Sequence, residues 1–448
     1  SWFTNDTALE DLILNDLAPI QNHSINVSGG KDGLTYNFNA SFYDQSGIMI
    51  NSDYSRFNIR SNTQFTKGNW KIATGLTFKR DEKTLPNYGV FNKILEYKPF
   101  QPDIELGQTE LTDVTEDDVD EPGGIGPIRN LGGVARNLNT KEVRDGTSNG
   151  ANIQIDFDAT PSLKFTARGG ANFSHDKGVR IIPRLDVYNT AGDLIPPNPW
   201  DISLIQTAVT DNNKLTFEGM MNYHKKFGKH DLNLLLVNSL EQTENEYFRA
   251  EKRDNADAAV TVFDGYTTGD LITSDGRDYK RTLIGYLGRI QYNYDGKYIF
   301  SGSIRRDGSS QFSPQNRWGW FPSASLGWNV SDEAFWEPIK ETVNSFKIRV
   351  GYGTTGNDRF ASYSNQAVVD LGQDYVFGSA DVDPSLNSTT ETPALGTTQE
   401  RYANENVKWE TSKERNLGVD LAFFNGKLTF SNDVYVSEKK DLLFGVVN

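Results

Sequence analysis

Segments with period-two alternation run through this chain, and the connections between them switch between very short and very long. Seven connections read as tight: Lys31-Asp32-Gly33, Lys67-Gly68-Asn69, Thr160-Pro161-Ser162, Phe227-Gly228-Lys229, Asp295-Gly296-Lys297, the stretch Ser331 to Asn344, and Asn425-Gly426-Lys427. The remaining connections are of very unequal length, the largest running from about Asp81 to Ser148. One end of the strand set is trimmed and the other elaborated. A transmembrane barrel has that asymmetry, with short periplasmic turns and long extracellular loops.

The faces of the segments point the same way. In Tyr54 to Phe65 one face carries Phe57, Ile59, Ser61, Thr63 and Phe65, and the other carries Arg56, Asn58, Arg60, Asn62 and Gln64. One side suits hydrocarbon and the other suits water. Trp70, Ile72, Thr74, Leu76 and Phe78 repeat the pattern, as do Leu163, Phe165, Ala167, Gly169, Ala171 and Phe173 opposite Arg168. Further copies are Ile284, Tyr286, Gly288, Ile290 and Tyr292 against Leu287, Arg289 and Gln291, then Phe346, Ile348, Val350 and Tyr352 against Lys347 and Arg349. Pairing each turn with its flanks predicts hairpins at about 24–44, 54–80, 148–174, 214–242, 280–306, 317–352 and 412–437. Those make about fourteen antiparallel strands, each with roughly the 9 to 11 residues that cross a tilted bilayer.

Composition agrees. Only 36% of the 448 residues are hydrophobic and mean hydropathy is -0.57, lean for a soluble core of that size. A barrel needs apolar residues on only one face of each strand, and 40 glycines with 12% aromatics fit turn-rich β-structure. No apolar run reaches the roughly 18 residues of a transmembrane helix. The net charge of -15 argues against nucleic acid as a partner. Part of that charge, Glu116, Asp117, Asp118, Asp120 and Glu121, reads as a solvated acidic loop rather than a calcium site, because it lacks the Gly-containing EF-hand pattern. There is no cysteine, which excludes disulfides and cysteine metal sites. Neither end of the chain reads as native, so a fragment of a longer protein is expected.

Aromatics of a barrel gather at both strand ends, near the headgroups. Trp70, Tyr294, Tyr298 and Trp328 lie beside tight turns, and Trp318, Trp320 and Phe321 lie at the opposite end of their strand. Interfacial anchoring is the expected role of each. Ser331-Asp332-Glu333-Ala334-Phe335-Trp336 reads as a capped helix start limited by Pro338, and so as a short periplasmic helix. Ala8 to Leu14 also has helical character.

Signals for catalysis are weak. Gly351-Tyr352-Gly353-Thr354-Thr355-Gly356 has the GxGxxG spacing but no amphipathic helix after it. His23, His175, His224 and His230 are scattered, and only His224 and His230, flanking one turn, lie near enough to share a metal. Polar residues at a wet turn explain them better. No GxSxG elbow appears, and no carboxylate pair stands out. Neither an enzyme nor a cofactor is expected.

The segment Gly302-Ser303-Ile304-Arg305-Arg306-Asp307-Gly308-Ser309-Ser310-Gln311-Phe312, continuing through Asn316-Arg317-Trp318-Gly319-Trp320-Phe321-Pro322-Ser323-Ala324-Ser325-Leu326-Gly327-Trp328, closely resembles a signature of the SusC/RagA family of TonB-dependent outer-membrane transporters. Ala18-Pro19-Ile20-Gln21-Asn22-His23 with Val27-Ser28-Gly29-Gly30, Tyr43 to Ile48, Val350 to Asn357, Trp409 to Glu414 and Phe423 to Leu428 resemble further stretches of the family. The likeness spans nearly the whole chain and is weakest at about 81–147 and 175–213. It implies part of a twenty-two-stranded barrel, a plug and a TonB box outside these residues, TonB of the inner-membrane energising complex as partner, and a SusD-like surface lipoprotein as lid. Residues 1–23 are then the lead-in with a short helix, and 24–448 a partial barrel with extracellular loops at about 81–147, 175–213, 243–279 and 353–411.

The function implied is import of a large nutrient, an oligosaccharide or a peptide, across the outer membrane. Candidates for the lumen-facing polar wall are Arg56, Asn58, Arg60, Asn62, Gln64, Arg168, Arg289, Gln291, Lys347 and Arg349. Plain solvation or packing against a plug competes with ligand contact at each. Two other classes stay open: an outer-membrane barrel that docks surface machinery, and a soluble β-rich carbohydrate-binding protein or enzyme. Strands at an open edge, near 24–30 and 428–437, would leave backbone groups unpaired in lipid at several kcal/mol each, so this portion alone is expected to be unstable.

Overall fold

The two-residue connections are made by residues that tolerate left-handed backbone. Asp32 and Gly33 have φ of 51° and 86°, the geometry of a mirror-image turn whose twist matches the flanking strands. A Cβ on Gly33 would lie 2.2 Å from the Thr66 carbonyl oxygen, and the Thr66 amide donates to the Gly33 carbonyl at 2.9 Å. The first turn is thereby tied to the second hairpin. Asp295 with Gly296, and Phe424, Asn425 and Gly426, use the same conformation at later turns.

The computed structural model describes residues 8–91, 105–108, 110–114, 134–189, 191–194, 203–253, 262–265, 272–359, 368–375, 394–401 and 403–443. Helix α1 (Leu9–Ile13) leads to the hairpin β1 (Ile20–Lys31) and β2 (Leu34–Gln45), then β3 (Tyr54–Lys67) and β4 (Trp70–Leu85), a single turn α2 (Tyr88–Phe91) and the short strand β5 (Glu110–Val114). Next come β6 (Lys141–Thr160) and β7 (Leu163–Ile182), the short β8 (Asp186–Asn189), β9 (Leu204–Phe227) and β10 (His230–Arg253), and β11 (Ile272–Tyr294) and β12 (Tyr298–Ser309). The set ends with β13 (Trp318–Asn329), β14 (Val343–Asn357), β15 (Val368–Tyr375), β16 (Ala394–Arg401), β17 (Glu410–Phe423) and β18 (Leu428–Lys440). Fourteen strands form one sheet in chain order, β1-β2-β3-β4-β6-β7-β9-β10-β11-β12-β13-β14-β17-β18, while β15 pairs β16 and β5 pairs β8. The pairings β1–β2, β2–β3, β3–β4, β11–β12, β12–β13, β13–β14, β14–β17 and β17–β18 are all antiparallel, as the expected hairpins require.

Strand lengths depart from expectation. They run from 12 to 24 residues rather than 9 to 11. A 24-residue strand spans about 80 Å and rises about 57 Å at a 45° tilt, roughly twice the apolar band. Ladder hydrogen bonds and alternating polar residues carry the strands on into water, where hydropathy no longer marks their limits. The long connections shrink to match, lying between Leu85 and Lys141, Ile182 and Leu204, Arg253 and Ile272, and Asn357 and Glu410. The acidic stretch 116–121 lies outside the described residues.

Two compact units divide the chain. One comprises Ser1–Ile155, Gly169–Leu215 and Thr243–Lys280, and the other Asp156–Arg168, Thr216–Gln242 and Arg281–Asn448. Inside the first, Leu9 and Ile13 of α1 pack with Met49, Val90, Leu111, Val134, Ala135, Leu138 and Leu185, all residues of connections or short elements outside the main sheet. Inside the second, Phe312, Phe321 and Trp409 form the core, backed by Leu283 and Val407. The strand faces contribute little. Phe57, Leu76, Phe78, Leu326 and Val350 are exposed, Leu76 and Leu326 at 58%, whereas Arg56 and Lys347 are half-buried. A water-soluble sheet protein would hide those side chains.

The connection at Ser331 is not a capped α-helix. Two 3-10 segments, Val330–Asp332 and Ala334–Ile339, take its place, and neither has a side-chain cap. Ser331 is buried, and Glu333 is drawn to the neighbouring hairpin instead. Pro338 lies inside the second segment, where the lost N–H costs a 3-10 turn little.

Candidate functional site: the polar face and the aromatic rims

Along β3, Arg56, Asn58, Arg60, Asn62 and Gln64 alternate on one face, opposite Tyr43, Ser41, Asn39, Asn37 and Thr35 of β2. The Arg56 guanidinium lies 5.6 Å from the Tyr43 ring centroid, and Asn58 Nδ2 donates to Ser41 Oγ at 3.3 Å. The row continues onto β1, where Asn37 Nδ2 donates to Asn26 Oδ1 at 3.1 Å. Amides, hydroxyls and two arginines therefore form one continuous polar surface on these strands. Arg168 faces Glu218 at 3.6 Å, both half-exposed.

On the later strands the polar face is nearly flat. Arg289 pairs with Ser303 and Gln291 with Ser301 across β11–β12, Ser323 and Ser325 face Gly353 and Gly351 across β13–β14, and Glu414 and Asn416 follow on β17. Ser303 and Ser323 share a hydroxyl hydrogen bond of 2.7 Å. Small side chains leave a hollow of about 360 Å³ there, lined by Ser301, Ser323, Ser325, Gly351, Gly353 and Glu414 among others. The GxGxxG glycines thus lie inside strand β14. Gly356 is required by packing, since a Cβ there would come 2.1 Å from Phe321 Cζ and 2.9 Å from Trp409 Cε3.

Lys347 and Arg349 have a different fate. Lys347 faces Asp420 across β14–β17. Arg349 donates to Asp420 Oδ2 at 2.7 Å through Nε and reaches Asp433 Oδ2 at 3.2 Å on β18, while Ser431 Oγ donates to Asp420 at 2.6 Å. Gly418 makes the crossing possible: a Cβ on it would lie 2.7 Å from Arg349 Cζ. Arg349 is consumed in joining three strands, which its place in the sequence does not reveal.

The turn-side rim carries a chain of ring contacts, Phe227 to His230 (4.9 Å), His230 to Tyr294 (5.0 Å), Tyr294 to Tyr298 (6.2 Å) and Tyr298 to Trp328 (6.5 Å). Glu333 closes it by accepting from Tyr298 OH at 2.6 Å and Trp328 Nε1 at 3.2 Å, with Lys297 Nζ at 3.4 Å. Hydrogen bonds from Tyr298 first and Trp328 second hold its carboxyl below the usual range. At the adjoining turn Lys229 Nζ bonds Asp295 Oδ2 at 2.7 Å, which lowers the Asp295 pKa and raises that of Lys229. His224 pairs with Asp231 at 2.8 Å and His230 with Tyr292 OH at 2.7 Å, so each ring has its own partner and they do not converge. Trp70 lies half-exposed beside the Gly68 turn.

At the loop-side end, Trp318 and Trp320 stay exposed and flank Arg306 at 4.5 and 5.1 Å. Phe321 does not join them. Its position is odd where theirs are even, so it turns to the other face and packs edge-on against Trp409 at 5.2 Å. Around it the residues 307–317 fold into a knot: Phe312 and Ser309 are fully buried, Trp409 Nε1 donates to the Arg317 carbonyl, and Ser313 and Asn316 both bond the Glu405 carbonyl. Arg281 clasps Asp358 through Nη2 at 2.6 and 2.8 Å. These motif residues build structure among themselves.

An antiparallel sheet with an exposed apolar face, a polar opposite face, aromatic rims, and cores built largely from its connections is the wall of a membrane-spanning β-barrel. The chain belongs to the family described as "TonB dependent receptor-like, beta-barrel", whose model matches residues 77–448. That is a family of outer-membrane receptors and not of enzymes. The chain is similar to TonB-dependent receptor P3 of Formosa agariphila (28% identical over 438 residues, 95% of this chain and 40% of the relative). It is also similar to TonB-dependent receptor SusC of Bacteroides thetaiotaomicron (25% over 450 residues, 95% and 41%). Among solved structures, the RagAB peptide transporter superposes with a TM-score of 0.72 at 19% identity, over 98% of this chain and 46% of that one, a likeness of fold. The chain spans less than half the length of these relatives.

Proposed function

We propose that the protein of which this chain is part imports a large nutrient, an oligosaccharide or a peptide, across the outer membrane, driven by TonB and assisted by a SusD-like surface lipoprotein. The likeness to SusC along nearly the whole chain supports this reading, and the likeness in fold to the RagAB peptide transporter keeps peptide beside glycan as cargo. The polar face supplies a compatible surface. On β3 it offers Arg56, Asn58, Arg60, Asn62 and Gln64, and around Arg289 and Gln291 its small side chains leave room for a plug or for passing cargo. Import of this kind is mechanical and needs neither a catalytic residue nor a resident cofactor. The energy comes from TonB acting on a plug, and the wall has only to be wide, wet and weakly adhesive.

The test is to purify the full-length protein in detergent from its own outer membrane, identify co-purifying lipoprotein and cargo by mass spectrometry, and compare growth of wild-type and deletion strains on that cargo. A stable complex with a surface lipoprotein and loss of growth on the cargo are expected. A barrel held by other surface machinery, with unchanged uptake, would favour the docking role instead.

A further inference from the structure

Alternate residues of β12 lie on the exposed apolar face, among them Tyr298 at the turn end and half-exposed Ile304. At the loop end Arg306 interrupts this face. It stands directly opposite Tyr286 on β11 and Trp320 on β13, and its Cζ lies 4.5 Å and 5.1 Å from the ring centroids of Trp318 and Trp320. Tyr286 stacks on Trp318 at 6.2 Å, which completes an aromatic frame around one guanidinium. All three rings are exposed.

Neighbouring arginines are neutralised within the protein: Arg305 by Asp307 at 2.7 Å and Arg281 by Asp358 at 2.6 Å. Arg306 has no ion pair among the described residues, and its Nε is buried without a hydrogen-bond partner. Ring faces satisfy the flat sides of a guanidinium, but its N–H donors lie in the plane and need acceptors. On a face covered by hydrocarbon, at the level where aromatic side chains collect, the acceptors at hand belong to lipid headgroups. A planar donor fork matches phosphate oxygens best.

We propose that Arg306, framed by Tyr286, Trp318 and Trp320, binds the phosphate of an outer-leaflet lipid. The rings fix the guanidinium at headgroup depth, and the phosphate takes its terminal Nη donors. The site is distinct from the polar face and independent of the cargo.

The full-length protein in detergent is incubated with phosphorylated lipid A or with its dephosphorylated form, and retention is read by native mass spectrometry. Wild type should retain the phosphorylated form, and Arg306→Gln should retain it about tenfold less, the loss of one charge-assisted contact. Arg306→Lys should lie between. Equal retention of both forms by wild type, or unchanged retention by a folded Arg306→Gln, overturns the proposal. Displacement of the lipid by excess inorganic phosphate would make this a free-anion site and overturns the lipid assignment. Should Arg306→Gln not fold, photoactivatable lipid A on wild type decides: adducts within residues 298–328 support the site, and adducts confined to other peptides refute it.

Discussion

Phe312→Ala separates two accounts of the Arg305-to-Phe321 motif, one in which it serves the outer knot and one in which it meets cargo. Phe312 is fully buried and its ring lies 5.2 Å from that of Trp409. Truncation removes the ring and leaves a cavity, costing about 3–5 kcal/mol. Among the described residues the cluster contains Phe312, Phe321 and Trp409 with Leu283 and Val407 around it, so the loss is centred on the knot. Its reporters are the amides of Ser309, Ser310 and Asn316, which donate to the carbonyls of Arg317, Thr282 and Ser313. Hydrogen exchange at these amides in the full-length protein should accelerate by about 10² to 4 × 10³-fold, since each 1.4 kcal/mol is a factor of ten in the opening equilibrium. Exchange in β1 to β4 should be unchanged. Unaltered exchange at the three amides would refute the structural account, and so would acceleration spread evenly over every strand.

Two glycines on the later strands should respond unequally to alanine. At Gly356 the new methyl meets the rings of Phe321 and Trp409, which are packed and cannot yield, for a loss of about 1–3 kcal/mol; at Gly418 it meets only the flexible ends of Arg349 and Asp433, for less than about 1 kcal/mol, both read as shifts in urea midpoint. Gly33→Val combines a φ of 86° with a Cβ position 2.2 Å from a backbone oxygen, so the first hairpin should mispair and the yield of folded, heat-modifiable protein should fall. Glu333 has a lowered folded pKa, so its stabilisation is fully present above the ordinary Glu value of about 4.3 and disappears as pH falls through the folded value. Unfolding midpoints between about pH 5 and 3 should therefore fall more steeply for wild type than for Glu333→Gln, and parallel curves would remove Glu333 from the account.

How much of this was legible beforehand follows from the range of each interaction. Period-two alternation is local, so the faces, the seven hairpins and the polar set from Arg56 to Gln64 could be read directly. Parity alone would also have separated Phe321 from Trp318 and Trp320. At Ser331 short helical segments do form, but as uncapped 3-10 turns, because Tyr298 of the neighbouring hairpin and Trp328 of the preceding strand claim Glu333. The ion pairing of Arg349 was hidden for a deeper reason. Its partners Asp420 and Asp433 lie 71 and 84 residues away, and they meet it only because β14 pairs with β17 across everything between Asn357 and Glu410. In a barrel wall, periodicity tells which face a polar residue occupies, but the register of the next two strands decides whether it is free. On that basis Arg289 and Gln291, whose partners on β12 are serines, remain stronger candidates for contact with plug or cargo than Arg349, whose charge two carboxylates already hold.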